Sequence, residues 1–458
     1  MSRFSSDAKL GEMSMEQEAR AKREREGGSG GGGAIKDLLD WNNLTYTMPI
    51  TNSVTVARNL KRFQSDYQTY TNGQTIVFTI QTGAQFVNWR DSYIKLNLSI
   101  DQKDDNAFWF GCGGSVMSLF RDIIVTSRGG TELQRIERFD IWRAFKDKYS
   151  RSEEWFRTTG AQVGYARQDL QGTNSINSDN HRLGHIHDQY SLHGGGPHSF
   201  DFIIPVSFLG GLFDSDQLMP SMMSSGLRIE IRLNKIENVV QGYTPGNGQV
   251  STAADAALKA VNYKTEIVCD THLLNDAATR QLNQTSAQNG LEFVYTGVFH
   301  QEETDGKTSN IQVSKAVSRA LSSFAVKTQV GANSTATVRE ASNILSAPKK
   351  YQWRLGSQYY PFQTLENQDE MVQNILYAED VSRSQPSIMR RHIKELYLGP
   401  VATFERSNLL RYSGVPINNS RTLSLDAEWA NATDAPVHVF MEHVKLSKSF
   451  LNNIVVSI

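Results

Sequence analysis

Cysteine is almost missing from this chain. Two residues, Cys112 and Cys269, stand in 458 positions. A disulfide framework is therefore excluded, and the thiols suit a reducing compartment. Long apolar runs are also missing. No stretch approaches the roughly 20 residues that would span a bilayer as a helix. The N-terminal MSRFSSDAKLGEMSMEQEARAKRERE lacks the apolar centre of a signal peptide, so export by that route is not expected. Excess charge of either sign is absent too, with a net charge of -1, and no global field points to nucleic acid. Within residues 1–33, six basic residues meet six acidic ones, so the tail is not the basic arm that phosphate neutralisation would demand.

Catalytic signatures are equally scarce. Gly306-Lys307-Thr308 resembles the end of a phosphate loop, but Gln301 stands where the loop needs its first glycine. The glycines at 111, 113 and 114 complete no dinucleotide fingerprint. Outside the GGSGGGG run at 27–33 no G-x-S-x-G occurs, and no H-E-x-x-H or C-x-x-C pair occurs. One cluster has the right chemistry for a metal or a pH sensor. His181, His185, His187, His193 and His198 fall within HRLGHIHDQYSLHGGGPH. Their spacing matches no standard zinc site. The metal candidates are His181, His185 and His187; a polar surface or inter-subunit loop is the plainer reading.

What the sequence does have is alternation. Ile76, Phe78 and Ile80 repeat at period two, as do Ile94, Leu96, Leu98 and Ile100. Such alternation places one set on a buried face. Further strands are predicted at Ile123–Val125, Val261–Leu274, Phe293–Phe299, Ile311–Val313, Phe324–Val326, Leu423–Ala427 and Val437–Leu446. The apolar end Ile454–Ile458 is expected to be buried in a sheet or an interface. Asp305-Gly306 marks a hairpin. Helical spacing predicts helices within 137–155 and 365–377, a charged helix at 12–26 and an amphipathic one at 34–41. GGSGGGG at 27–33 is a linker by composition. The rhythm is not βαβ, so a parallel sheet is disfavoured. Two β-rich halves fit the length.

Ser199–Leu233 concentrates these features. Phe200, Phe202 and Ile204 alternate, as do Leu227, Ile229, Ile231 and Leu233. The reading is a strand pair closed by a loop. That loop carries too much apolar surface for a tip, so Leu212, Phe213, Met219, Met222 and Met223 are expected to contact a partner.

IIPVSFLGGLFDSDQLMPSMMSSGLRIEIRL resembles the end of the first barrel in double jelly-roll major capsid proteins of the polinton-like virus and virophage group. VCDTHLLNDAATRQLNQ is similar to their inter-barrel connector. FVYTGVFHQEETDGKTSNIQVSKAVSRALSSFAV is similar to the opening strands of their second barrel. YQWRLGSQYYPFQTL and VHVFMEHVKLSKSF add to the likeness, which spans most of 70–458. It implies an all-β fold of two tandem eight-stranded jelly rolls with short inserted helices: a tail at 1–44, a first barrel at 45–275 and a second at 276–458. It also implies a non-enzymatic shell protein, without cofactor or small-molecule substrate. Homotrimeric pseudo-hexameric capsomers would build an icosahedral virion around double-stranded DNA, assembled in the host cytoplasm or nucleus. Partners would be neighbouring capsomers, minor capsid and penton proteins, with indirect contact to DNA or an inner membrane. Two alternatives stay open: a single jelly-roll capsid protein with a projecting domain, and a β-sandwich enzyme or carbohydrate-binding protein using the histidine cluster.

Overall fold

Alternation builds the sheets. In Leu227–Leu233 the four apolar side chains are buried while Arg228 and Arg232 point outward. Such strands recur along the computed structural model. It describes residues 54–378 and 399–457, apart from 72, 103–106, 111–114, 152–154, 156–157, 165–195, 216, 236–239, 244–249, 252–257, 328–347, 405–413, 431–433 and 451–453. The predicted helices at 12–26 and 34–41 and the linker lie outside the described residues.

The first half contains β1 (Thr55–Gln64), β2 (Thr75–Ile80), β3 (Phe86–Gln102), β4 (Ala107–Phe110), β5 (Phe120–Thr126) and β6 (Glu132–Ile136). Helix α1 (Phe139–Ser150) follows, then β7 (Gly196–Pro205), β8 (Leu227–Leu233), β9 (Val240–Tyr243), β10 (Val250–Ser251) and β11 (Leu258–Leu274). Helix α2 (Asp276–Gln288) leads into the second half. There β12 (Leu291–Asp305), β13 (Thr308–Val313), β14 (Val317–Lys327), β15 (Pro348–Leu355) and β16 (Gln358–Leu365) precede α3 (Gln368–Ala378). Then come β17 (Val401–Thr403), β18 (Val415–Ile417), β19 (Leu423–Trp429), β20 (Ala435–Ser449) and β21 (Ile454–Ser457).

The same winding occurs twice. In the first half one sheet runs β1-β11-β3-β7 and the other β2-β8-β5-β6. In the second half they run β12-β20-β14-β17 and β13-β19-β15-β16. Numbering the barrel strands within each half, both read 1-8-3-6 and 2-7-4-5. All of these pairs are antiparallel. This is a double jelly roll. Strands β4, β9 and β10 form a small separate sheet, and β18 and β21 extend the second barrel's first sheet. Two barrels of equal rank leave no place for a single barrel with a projecting domain.

The winding corrects the expected strand pairings. Strands β7 and β8 are not a pair. β7 pairs with β3 in one sheet, whereas β8 lies between β2 and β5 in the other. Period two tells which face a side chain takes but not which strand lies alongside. The intervening segment must therefore pass from one sheet to the other, and its apolar side chains go inward. Leu212, Phe213, Met219 and Met223 are fully buried. Trp89 donates its Nε1–H to Met219 Sδ at 3.1 Å and meets the Phe213 ring edge-on at 5.0 Å. Four of the five residues expected at a partner contact thus belong to the protein's own core. Met222 is half-buried, and its sulfur lies 3.1 Å from Ser286 Oγ of α2.

Helix α1 begins at Phe139 because Arg138 sits in the left-handed region at φ 51°. Helix α2 was not expected from the apolar periodicity. Asn275 Oδ1 accepts the backbone N–H of Ala278 at 2.8 Å, a cap worth about 1 kcal/mol. Ala278 and Leu282 pack with Phe86, Leu274 and Leu291. The apolar C-terminal segment joins β20 as an edge strand, with Ile454 and Val456 half-buried and Val455 exposed. Its burial is therefore partial.

Candidate functional site at the junction of the two barrels

The barrels share one continuous core. β6 and α1 of the first face β12, β14 and β20 of the second. Phe145 of α1 stacks on Phe324 of β14, with centroids 4.1 Å apart and planes at 7°. Phe324 stacks on Phe440 of β20 at 5.1 Å, and Phe440 meets His300 of β12 at 4.9 Å. Such pairs add about 0.5–1.5 kcal/mol each beyond area burial. Gly211 gives the closest approach. A Cβ there would stand 2.2 Å from the backbone oxygen of Thr296 on β12. Only glycine lets the two chains come so near.

Polar groups cross the same junction. Tyr295 donates its hydroxyl to Leu133 O at 2.6 Å, and Lys445 Nζ donates to the same carbonyl at 3.3 Å. Glu442 accepts from Trp142 Nε1 at 3.3 Å, Lys146 Nζ at 3.1 Å and Ser322 Oγ at 3.0 Å. Each contact links α1 or β6 to the second barrel except the last, which is internal to it. Buried and paired in this way, these groups specify one docking geometry, because any other leaves charges without partners.

Burial shapes the titration of the junction. His443 is pushed down to about 4, by desolvation first and then by the Lys445 charge; Lys315 acts in the same direction, and Glu442 opposes it. Lys445 is itself lowered by burial. The unfolded chain protonates this imidazole near pH 6.5, while the folded chain resists until about pH 4. Stability is therefore full above pH 6.5 and falls as pH drops through that window. The expected loss is on the order of 3 kcal/mol by pH 4. Denaturant midpoints measured from pH 7 to 4.5 should fall, and His443→Phe should make that fall smaller, with His300 and His438 supplying the remainder. An unchanged slope in the variant would contradict the assignment.

Among the described residues, His300, Glu302 and His438 form one group whose ligand atoms lie within 4.8 Å of one another. His300 and His438 stack, with ring centroids 5.3 Å apart. Desolvation holds His300 down at about 4 and His438 well below its usual value, with the Arg138 charge as the next cause for each. Sequence reading missed this trio because its members come from two strands far apart in the chain. His181, His185 and His187, the sequence-based metal candidates, lie outside the described residues. Cys269 is buried and its thiol is pushed up by desolvation, which does not suit a nucleophile. Gly306 and Lys307 form the turn between β12 and β13, but these strands lie in opposite sheets, so the hairpin expected at Asp305-Gly306 is instead a crossing from one sheet to the other.

Exposed apolar side chains gather at sheet edges. Val56 and Leu60 stand on β1, Tyr359 and Phe362 on β16, Ile203 on β7 and Val455 on β21. Phe362 is 84% exposed, the largest value among them. Edge strands also present unpaired backbone groups, so these rims can be extended by another chain.

The architecture defines a class, that of double jelly-roll proteins. The structural likeness to the Faustovirus major capsid protein has a TM-score of 0.57 at 9% identity, covering 93% of this chain and 96% of that one. For a chain of the Sputnik virophage particle the TM-score is 0.55 at 11% identity, covering 94% and 93%. For the mavirus major capsid protein it is 0.50 at 12% identity, covering 94% and 96%. At such identities the likeness establishes the fold. No protein-family model matches the sequence, and no curated protein matches it.

Proposed function

We propose that this chain is a viral major capsid protein that forms homotrimeric, pseudo-hexameric capsomers. These tile an icosahedral shell enclosing double-stranded DNA. The observation that carries the reading is the repeated 1-8-3-6 and 2-7-4-5 winding, with both copies locked through one buried junction. Two rigidly joined barrels per subunit would give a trimer six similar corners. A scaffold of this kind needs fixed barrel spacing, which the stacked aromatics and the Gly211 contact supply. The exposed apolar residues on β1 and β16 offer surface for neighbouring capsomers. In this reading the protein resides in the virion, after assembly in the host cytoplasm or nucleus. It contacts minor capsid and penton proteins, acts on no small-molecule substrate and is not an enzyme.

Sedimentation velocity of the purified full chain tests the proposal. A species of three chains is expected, with larger arrays at high concentration. A protein that stays monomeric at every concentration and ionic strength would overturn it.

A further inference from the structure

We infer that His300, Glu302 and His438 form a binding site for a single zinc-class divalent cation, which staples β12 to β20 where the second barrel faces the first. The register of two strands creates the site. His300 and Glu302 stand two residues apart on β12, and so share a face. Glu302 lies directly opposite His438 on β20. His300 Nε2 is 3.1 Å from His438 Nδ1, and His438 Nδ1 is 3.5 Å from Glu302 Oε2. Bonds of about 2.0–2.2 Å to a tetrahedral ion place neighbouring ligand atoms roughly 3.3–3.6 Å apart. Both separations are therefore near those required before any movement. Two imidazoles and a carboxylate suit zinc, leaving a fourth position for water.

Burial and surroundings fit the assignment. The side chain of His438 is fully buried and that of His300 is 7% exposed, while Glu302 is 44% exposed and opens the site to solvent. The other ring nitrogen of His300 faces Glu137 Oε2 at 3.8 Å. That separation is beyond hydrogen-bond length, so Glu137 would fix the tautomer of His300 only after moving closer. Without a cation, one imidazole N–H of the pair donates to the other ring. If that proton is on His300 Nε2, binding moves it to Nδ1, on the side of Glu137, with no net proton release. Glu137 directly follows β6 of the first barrel, so the site lies against the junction between the barrels. Arg138 is the nearest opposing charge. Its guanidinium forms two 3.2 Å bonds with Asp140, which offsets it.

The test uses the full chain, stripped with a chelator and titrated with zinc chloride by calorimetry, and with cobalt chloride by visible absorption. One ion per chain is expected, with the d–d bands of tetrahedral cobalt and a higher melting temperature in zinc. Glu302→Gln is partly exposed and should fold normally, yet weaken binding at least tenfold. His300→Ala should abolish it. The triple change of His181, His185 and His187 to Ala should leave it intact. Absence of binding by the folded wild-type chain would overturn the site. So would binding that survives in both Glu302→Gln and His300→Ala but is lost in the triple variant.

Discussion

Ile231→Asp should yield no soluble, folded protein. Ile231 is 1% exposed on β8, the inner strand between β2 and β5. It stands opposite Ile76 on one side and Ile123 on the other, and both are fully buried. A carboxylate there has no cation and no donor along that row. An unpaired buried charge costs several kcal/mol, and the lost isoleucine packing adds about 2–5 more. That sum rivals the whole stability of an ordinary domain, about 5–15 kcal/mol. The neighbouring position is the control. Arg232 faces outward with its side chain 49% exposed, so Arg232→Ser should be soluble and near wild type. The measurement is the soluble fraction and the circular dichroism of each variant. Folded, soluble Ile231→Asp would remove β8 from the barrel wall.

Gly211→Val should separate the barrels without destroying either. The added Cβ would stand 2.2 Å from Thr296 O and 2.8 Å from Thr296 Cβ. The closest atom is backbone, so no side-chain rotation relieves the clash. Overpacking of a tight contact costs about 1–3 kcal/mol, occasionally more, and here the strain falls on the junction. A lower melting temperature and faster proteolysis within the α2 connector are expected. Gly129 is the matched control, since a Cβ there meets nothing nearer than 3.9 Å. Gly129→Ala should behave as wild type. A Gly211→Val protein with wild-type melting and proteolysis would mean that the barrels do not rely on this approach.

The strands were legible in the sequence because their burial alternates. Leu227 to Leu233 and Leu423 to Ala427 bury every second residue, as their patterns predicted, and Ile76, Phe78 and Ile80 are buried too, although Val77 between them is also covered. Strand pairing was less legible, since alternation carries no address. Phe200 to Ile204 and Leu227 to Leu233 looked like a hairpin yet belong to opposite sheets. That same crossing explains why the methionine-rich loop turned inward. Helix α2 had a readable signal, an asparagine followed by Asp276 in the first turn, but apolar period alone did not raise it. The His300 and His438 pair left no trace in sequence spacing. Those residues are 138 positions apart and meet only through the β12–β20 register. The dense histidines of 181–198 drew attention because density in sequence is visible and proximity in space is not.

The central claim is that two like barrels, rigidly joined, build a six-cornered capsomer from three chains. Electron cryo-microscopy of the purified full chain tests it most directly. Class averages should show particles of six barrels around a threefold axis, with each chain supplying two adjacent corners. Single, separate two-barrel particles, or assemblies lacking threefold symmetry, would contradict it.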